Sequence, residues 1–288
     1  MTGVELVLDS RAALAEGPAW DQKSQTLIWV DIPKGTIHRF APAEGTDVFC
    51  DAGQAVGAAV PDSEGGLVYA AANGFWRMSD MRASPGTLLT PVEEDRPNMR
   101  MNDGKCDTRG RFWAGTLDLG FASGLGSLYR LDQNNSVHRM LTGLTVSNGM
   151  GWSPDDRRMY LIDTFTYGVD VFDFDVNEGV LHNRKRLIDI AKKTGEADGM
   201  AVDADGCIWI AIYGGGMVHR YTPAGILDVV VKLPASQVTS CAFGGNDYKD
   251  LYITTANQDS DPSQLYAGGI FAIRTSVCGL PTNLYNVQ

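Results

Sequence analysis

Cysteine, histidine, positive charge and long apolar runs are all scarce in this chain. Its five cysteines, Cys50, Cys106, Cys207, Cys241 and Cys278, are scattered over 288 residues without CxxC spacing. An odd, dispersed set makes no disulfide framework, so reduced thiols and a cytoplasmic location are expected. Lys and Arg number 24 against 35 Asp and Glu, a formal net charge of -11. Nucleic-acid affinity rests on basic side chains neutralising phosphates, which excludes nucleic acid as a partner. No apolar run approaches the roughly 18 residues of a membrane span, and residues 1–10 lack the basic-then-apolar pattern of a secretory signal, so no membrane partner is expected either. Sustained helical periodicity is also missing, with residues 187–193 the one stretch that hints at it.

What is present is a repeat. A polar turn followed by an apolar-aromatic-apolar triplet recurs six times, its aromatic at Trp29, Tyr69, Trp113, Tyr160, Trp209 and Tyr252, with gaps of 40, 44, 47, 49 and 43 residues. A period of about forty to fifty residues marks a repeat architecture in which each unit buries its apolar face against its neighbours. The 33 glycines and 12 prolines suit many tight turns between short strands. Phrases such as Ser153-Pro154-Asp155-Asp156 and Asp203-Ala204-Asp205-Gly206 supply the turn chemistry. The expectation is an all-β, six-bladed β-propeller with four antiparallel strands per blade, a single domain over residues 1–288. Val4-Glu5-Leu6-Val7-Leu8 is a spare strand that could complete the last blade, and a closed ring with few free edges is compatible with a monomer. The six aromatics are expected to be core, wedged between blades.

The repeat is also a ruler. Eleven to thirteen residues before each aromatic, where an innermost strand begins at the channel, the copies read Glu16, Gly57, Asn102, Asn148, Asp198 and Ser240. Five of these six carry a side-chain oxygen, and four precede or adjoin glycine, which would leave the axis uncrowded. Carboxylates and amides converging on one point are hard ligands, and facing carboxylates without a cation are costly to desolvate. None of the four histidines, His38, His138, His182 and His219, falls at these positions, so a closed zinc site is disfavoured and Ca, Mg or Mn suits the donor set.

The phrases Glu16-Gly17-Pro18-Ala19-Trp20, Arg100-Met101-Asn102-Asp103-Gly104-Lys105, Ser147-Asn148-Gly149-Met150-Gly151-Trp152-Ser153-Pro154-Asp155 and Asp198-Gly199-Met200-Ala201-Val202-Asp203 closely resemble the senescence-marker-protein/gluconolactonase family, known also through regucalcin. Thr239-Ser240-Cys241-Ala242-Phe243-Gly244-Gly245 and Ala267-Gly268-Gly269-Ile270-Phe271 extend the match. The resemblance implies a propeller that hydrolyses sugar-acid lactones with one divalent metal, its identity open among Ca, Mg, Mn, Zn and Fe(II). It implies Glu16, Asn148 and Asp198 as metal ligands, with Asp198 also moving the proton. It implies Arg100 as a substrate-binding residue and Asn102 as a substrate contact or outer ligand, while Asp103 reads as a turn cap.

Residues 117–126, Leu117-Asp118-Leu119-Gly120-Phe121-Ala122-Ser123-Gly124-Leu125-Gly126, stand where the family has a variable lid, and only Asp118 among them is acidic. Sugar contacts that some relatives make from this loop therefore do not carry over. Tyr167, Tyr213 and Ser240 are further polar residues expected near the mouth. Two other readings share the site: hydrolysis of a phosphotriester or aryl ester, and calcium-binding regulation without turnover.

Overall fold

The computed structural model describes residues 3–258, 264 and 266–288. Its strands form six sheets of four, arranged as the blades of a β-propeller. In the first five blades the chain runs from the inner to the outer edge through consecutive antiparallel strands, as in Ala15–Asp21, Thr26–Asp31, Thr36–Ala41 and Thr46–Asp51. The sixth blade holds Val238–Gly244, Asp250–Thr255 and Ile270–Arg274, and its outermost strand is Glu5–Leu8 from the other end of the chain. Glu5 lies opposite Ala272 and Leu6 opposite Phe271, so the spare strand closes the ring as the sequence suggests.

Each repeated aromatic lies on the second strand of its blade and is at most 5% exposed. Each packs toward a neighbouring blade: Trp113 meets Met150 and Trp152 of the fourth blade, and Trp209 meets Cys241 and Phe243 of the sixth. Indole N–H groups this deep need acceptors. Asp107 accepts from Trp113 Nε1 and Asp203 from Trp209 Nε1, each at 2.9 Å, and each of these aspartates also caps its own turn amides.

The helical hint at residues 187–193 is not realised. Val180–Asp189 is a ten-residue outer strand, followed by a single 3-10 turn at Lys192–Thr194. Pairing of Val169 with Ile188 and of Gly168 with Asp189 pins this segment, and Ile188 and Ile190 are buried at the two-residue spacing of a strand. Among the described residues no helix is long and apolar enough to cross a membrane.

The two ends of the channel differ. On one face the C-terminal segment crosses from the fifth blade to the second and third, with Gly279 bridged to Asp203, Asn283 donating to the Cys106 carbonyl and Tyr285 bridged to Asp62. Leu280, Pro281, Thr282 and Asn283 cover a cavity of about 220 Å³ at that end. The opposite mouth carries the predicted site.

The innermost strands approach so closely that glycine is obligatory where they touch. A Cβ on Gly57 would lie 2.7 Å from Asn102 Cα, one on Gly149 2.7 Å from Met200 N, and one on Gly199 2.8 Å from Ser240 Cα. The space expected to stand open for a ligand is filled by the next blade's backbone, and the glycines set the radius of the ring. Gly57→Ala, in a blade without a candidate ligand, is predicted to cost about 1–3 kcal/mol through overpacking, read as a lowered denaturant midpoint at unchanged m-value. An unchanged midpoint would show that the inner strands can part without loss.

Candidate metal centre

Every innermost strand breaks its pairing register close to the position picked out by the repeat: between Glu16 and Ala19, Val56 and Ala58, Met101 and Gly104, Ser147 and Met150, Ala197 and Met200, and Val238 and Ser240. A bulge bends the strand and re-aims side chains locally. Sixfold repetition of that irregularity turns six strand positions toward one axis. Glu16, Asn102, Asn148 and Asp198 are all buried there, between 5% and 8% exposed.

Glu16 Oε2 accepts from the Gly17 amide at 2.8 Å, and the Glu16 and Asp198 carboxyl groups lie close enough to act on one another electrostatically. Asn148 Nδ2 donates to Asp198 Oδ1 and, at 3.1 Å, to Thr164 Oγ1. Arg100 Nη1 donates to Asn102 Oδ1 at 2.8 Å and to the Met101 carbonyl at 2.9 Å, while Asn102 Nδ2 reaches the Ser147 carbonyl at 2.9 Å. Both ends of the Asn102 amide are thus engaged, one of them on Arg100.

Electrostatics separate this cluster from an ordinary polar core. Burial, then the nearby charges of Asp198 and Asp103, holds the Glu16 carboxyl well above its usual range, with the Gly17 amide and Arg100 opposing. Burial and Asp103 likewise push Asp198 well up, against the Asn148 hydrogen bond. Desolvation brings Arg100 down to about 10 despite both carboxylates. Without a cation, burial and mutual repulsion disfavour the ionised form of both carboxyl groups.

The donor set fits a hard divalent ion. Asn148 Oδ1 is buried with no hydrogen-bond partner, a costly state for an amide oxygen. It belongs to the same side chain whose Nδ2 is fixed on Asp198. Among the described residues no three His, Cys, Asp or Glu side chains form a metal-binding group. The third donor here is an amide, and that is why the cluster escapes a count of acids and imidazoles.

Sequence reasoning gave no role to Lys105, Ser147 or Thr164. Lys105 Nζ crosses from the third blade to the Met200 carbonyl of the fifth at 2.7 Å. A signal for it existed: three residues after each ruler position the copies read Ala19, Val60, Lys105, Gly151, Ala201 and Phe243, with one charged member, and all six line the cavity beneath the site. Asp103 does cap locally, accepting from Gly104 N at 2.7 Å, but it also lies buried beside Glu16 and Asp198 and faces Lys105. The four histidines sit on third and fourth strands, away from the mouth.

The family model described as SMP-30/Gluconolactonase/LRE-like region matches residues 14–257. A regucalcin from Danio rerio is 36% identical over 292 residues, covering 98% of both chains. A solved structure of a calcium-binding protein, regucalcin, from Agrobacterium tumefaciens superposes with a TM-score of 0.94 at 27% identity, covering 99% of this chain and 97% of its own. A luciferin-regenerating enzyme superposes with a TM-score of 0.92 at 28% identity, covering 99% of both chains.

The raised carboxyl pKa values give a signed prediction. A carboxyl whose folded pKa lies above its unfolded value stabilises the fold at acid pH, and that contribution is lost as pH rises from the ordinary carboxylate range through the raised value. Metal-free Glu16→Gln/Asp198→Asn is therefore expected to gain melting temperature relative to the metal-free wild type as pH goes from about 5 to about 8. A divalent ion should raise the wild-type melting temperature more at the upper end of that interval, because it competes with protons. Parallel melting curves for the two proteins would contradict this electrostatic account.

Proposed function

The chain belongs to the SMP-30/gluconolactonase/LRE-like family, and from that membership we propose that it is a divalent-metal-dependent hydrolase opening a sugar-acid lactone to its aldonic acid. The observation that carries this reading is the mouth cluster itself: two protonation-prone carboxyl groups and an orphaned amide oxygen beside a guanidinium. The partner assigned is a small lactone. Calcium binding is a property named for the Agrobacterium relative, and it makes calcium the first ion to try.

Glu16, Asn148 and Asp198 would hold the metal. Bound there, a hard divalent ion supplies Lewis acidity at the lactone carbonyl and lowers the pKa of water. The remaining work belongs to the side chains. Asp198, once ionised, takes a proton from the attacking water and returns it to the ring oxygen as the C–O bond breaks, so that one water is consumed and one carboxylic acid and one hydroxyl are formed. Glu16, two blades away around the ring, adds a second negative charge, and Asn148 a neutral donor whose orientation is held by Thr164.

Arg100 bears on the carbonyl side. Held on Asn102 and the Met101 carbonyl in a half-buried residue, its guanidinium would hydrogen-bond the oxygen on which negative charge develops. Asn102 keeps it there by accepting from Nη1 while hanging from the Ser147 carbonyl. Asn102 is thus a positioning residue for Arg100 as well as a neighbour of the substrate.

Asp198→Asn is predicted to lower kcat on an aldonolactone by about 10²–10⁴ with the fold retained, followed as acid release. Arg100→Lys, which keeps the charge but loses the planar fork, is expected to lower kcat/KM by about tenfold or more. Chelation should abolish turnover and re-addition of a divalent ion restore it. Full rate in Asp198→Asn would defeat the mechanism.

A further inference from the structure

Two loops rise beside the mouth. Residues 118–126 join the second and third strands of the third blade and expose Leu119 at 56%, Phe121 at 52% and Leu125 at 42%. The equivalent connection of the fourth blade exposes Phe165 at 38%. Scattered apolar residues on a surface need no explanation, but these meet: the Phe121 and Phe165 rings pack edge to face, centroids 5.7 Å apart at 88°.

Both loops are rooted in the site. Thr164, immediately before Phe165, accepts the Asn148 hydrogen bond, and Leu117, at the base of the other loop, pairs with Arg100 across the strands. Within the third-blade loop hydroxyl recognition is poorly provided, although the fourth-blade connection also carries Thr166 and Tyr167. Asp118 Oδ2 is taken by the amides of Gly120 at 2.9 Å and Ala122 at 3.2 Å. Ser123 Oγ lies 3.4 Å from Thr145 Oγ1, and the other residues from 119 to 125 offer only apolar side chains or none.

We propose that Phe121 and Phe165 form an apolar rim selecting sugar lactones whose carbon farthest from the carbonyl is deoxygenated. The inference rests on the lactonase reading and names its substrate class. A hydroxyl pressed against phenyl rings gives up water without a replacement partner, whereas a methyl group in the same place gains contact. A difference of one hydroxyl at an apolar, half-open wall is expected to amount to about tenfold in kcat/KM.

The test uses a matched pair, L-rhamnono-γ-lactone and L-mannono-γ-lactone, which share stereochemistry and differ only in the terminal hydroxyl. Wild-type metal-loaded protein should favour the rhamnonolactone by about tenfold in kcat/KM, and Phe121→Ala/Phe165→Ala should bring that ratio close to unity. Phe165→Leu, which keeps an apolar wall, should preserve the preference. A wild-type ratio at or below unity, or a preference surviving in the double alanine variant, overturns the rim. If neither lactone is turned over, the lactonase reading falls, and the rim is then judged by calorimetric binding of the open acids. Tighter binding of L-rhamnonate than L-mannonate, lost in the double variant, supports it, and equal or absent binding overturns it.

Discussion

Glu16 and Asp198 come from the first and fifth blades, which flank the sixth, and closure of six sheets around a narrow axis presses their carboxyl groups together in one buried cluster, with Asp103 adding a third acid beneath. The inner strands could separate the charges only by widening the ring, and contacts such as Gly199 against the Ser240 backbone hold that radius. Frustrated charge is therefore built into the fold. Protonation at acid pH relieves it, and a divalent ion bound there would relieve it without protons while also meeting the orphaned Asn148 oxygen.

Much of this could be read from the chain because the repeat encodes geometry directly. The aromatics mark the second strand of each blade, and counting back from them reaches the bulged position on each innermost strand. The bulges themselves were not legible, since a register shift leaves no compositional trace when its neighbours are glycine and alanine. The glycines misled in one respect: a residue without a side chain suits a ligand and a close backbone equally, and here the backbone is present. Lys105 sits inside a motif that hides its oddity, which shows only against its five counterparts, all apolar or small. At residues 187–193 a short apolar alternation imitated a helix, and pairing with the neighbouring strand decided the outcome.

The two mouths divide the labour. At one, the C-terminal segment lies across the blades and closes the channel over a small, largely apolar cavity. At the other, connections of the third and fourth blades bring Phe121 and Phe165 together, one growing from the strand paired with Arg100 and the other from Thr164, which accepts from Asn148. The inner strands hold the reacting groups rigidly, while the connections that vary freely in length and composition shape what can reach them.

Calorimetric titration of calcium into the metal-free protein tests the central claim most directly, run near neutral pH in two buffers of different ionisation enthalpy. The account predicts a single ion bound per chain with net proton release, because a cation favours the ionised form of carboxyl groups that burial disfavours ionising, and it predicts loss of both binding and proton release in Asp198→Asn. Binding without proton release, or binding that survives Asp198→Asn unchanged, would contradict it.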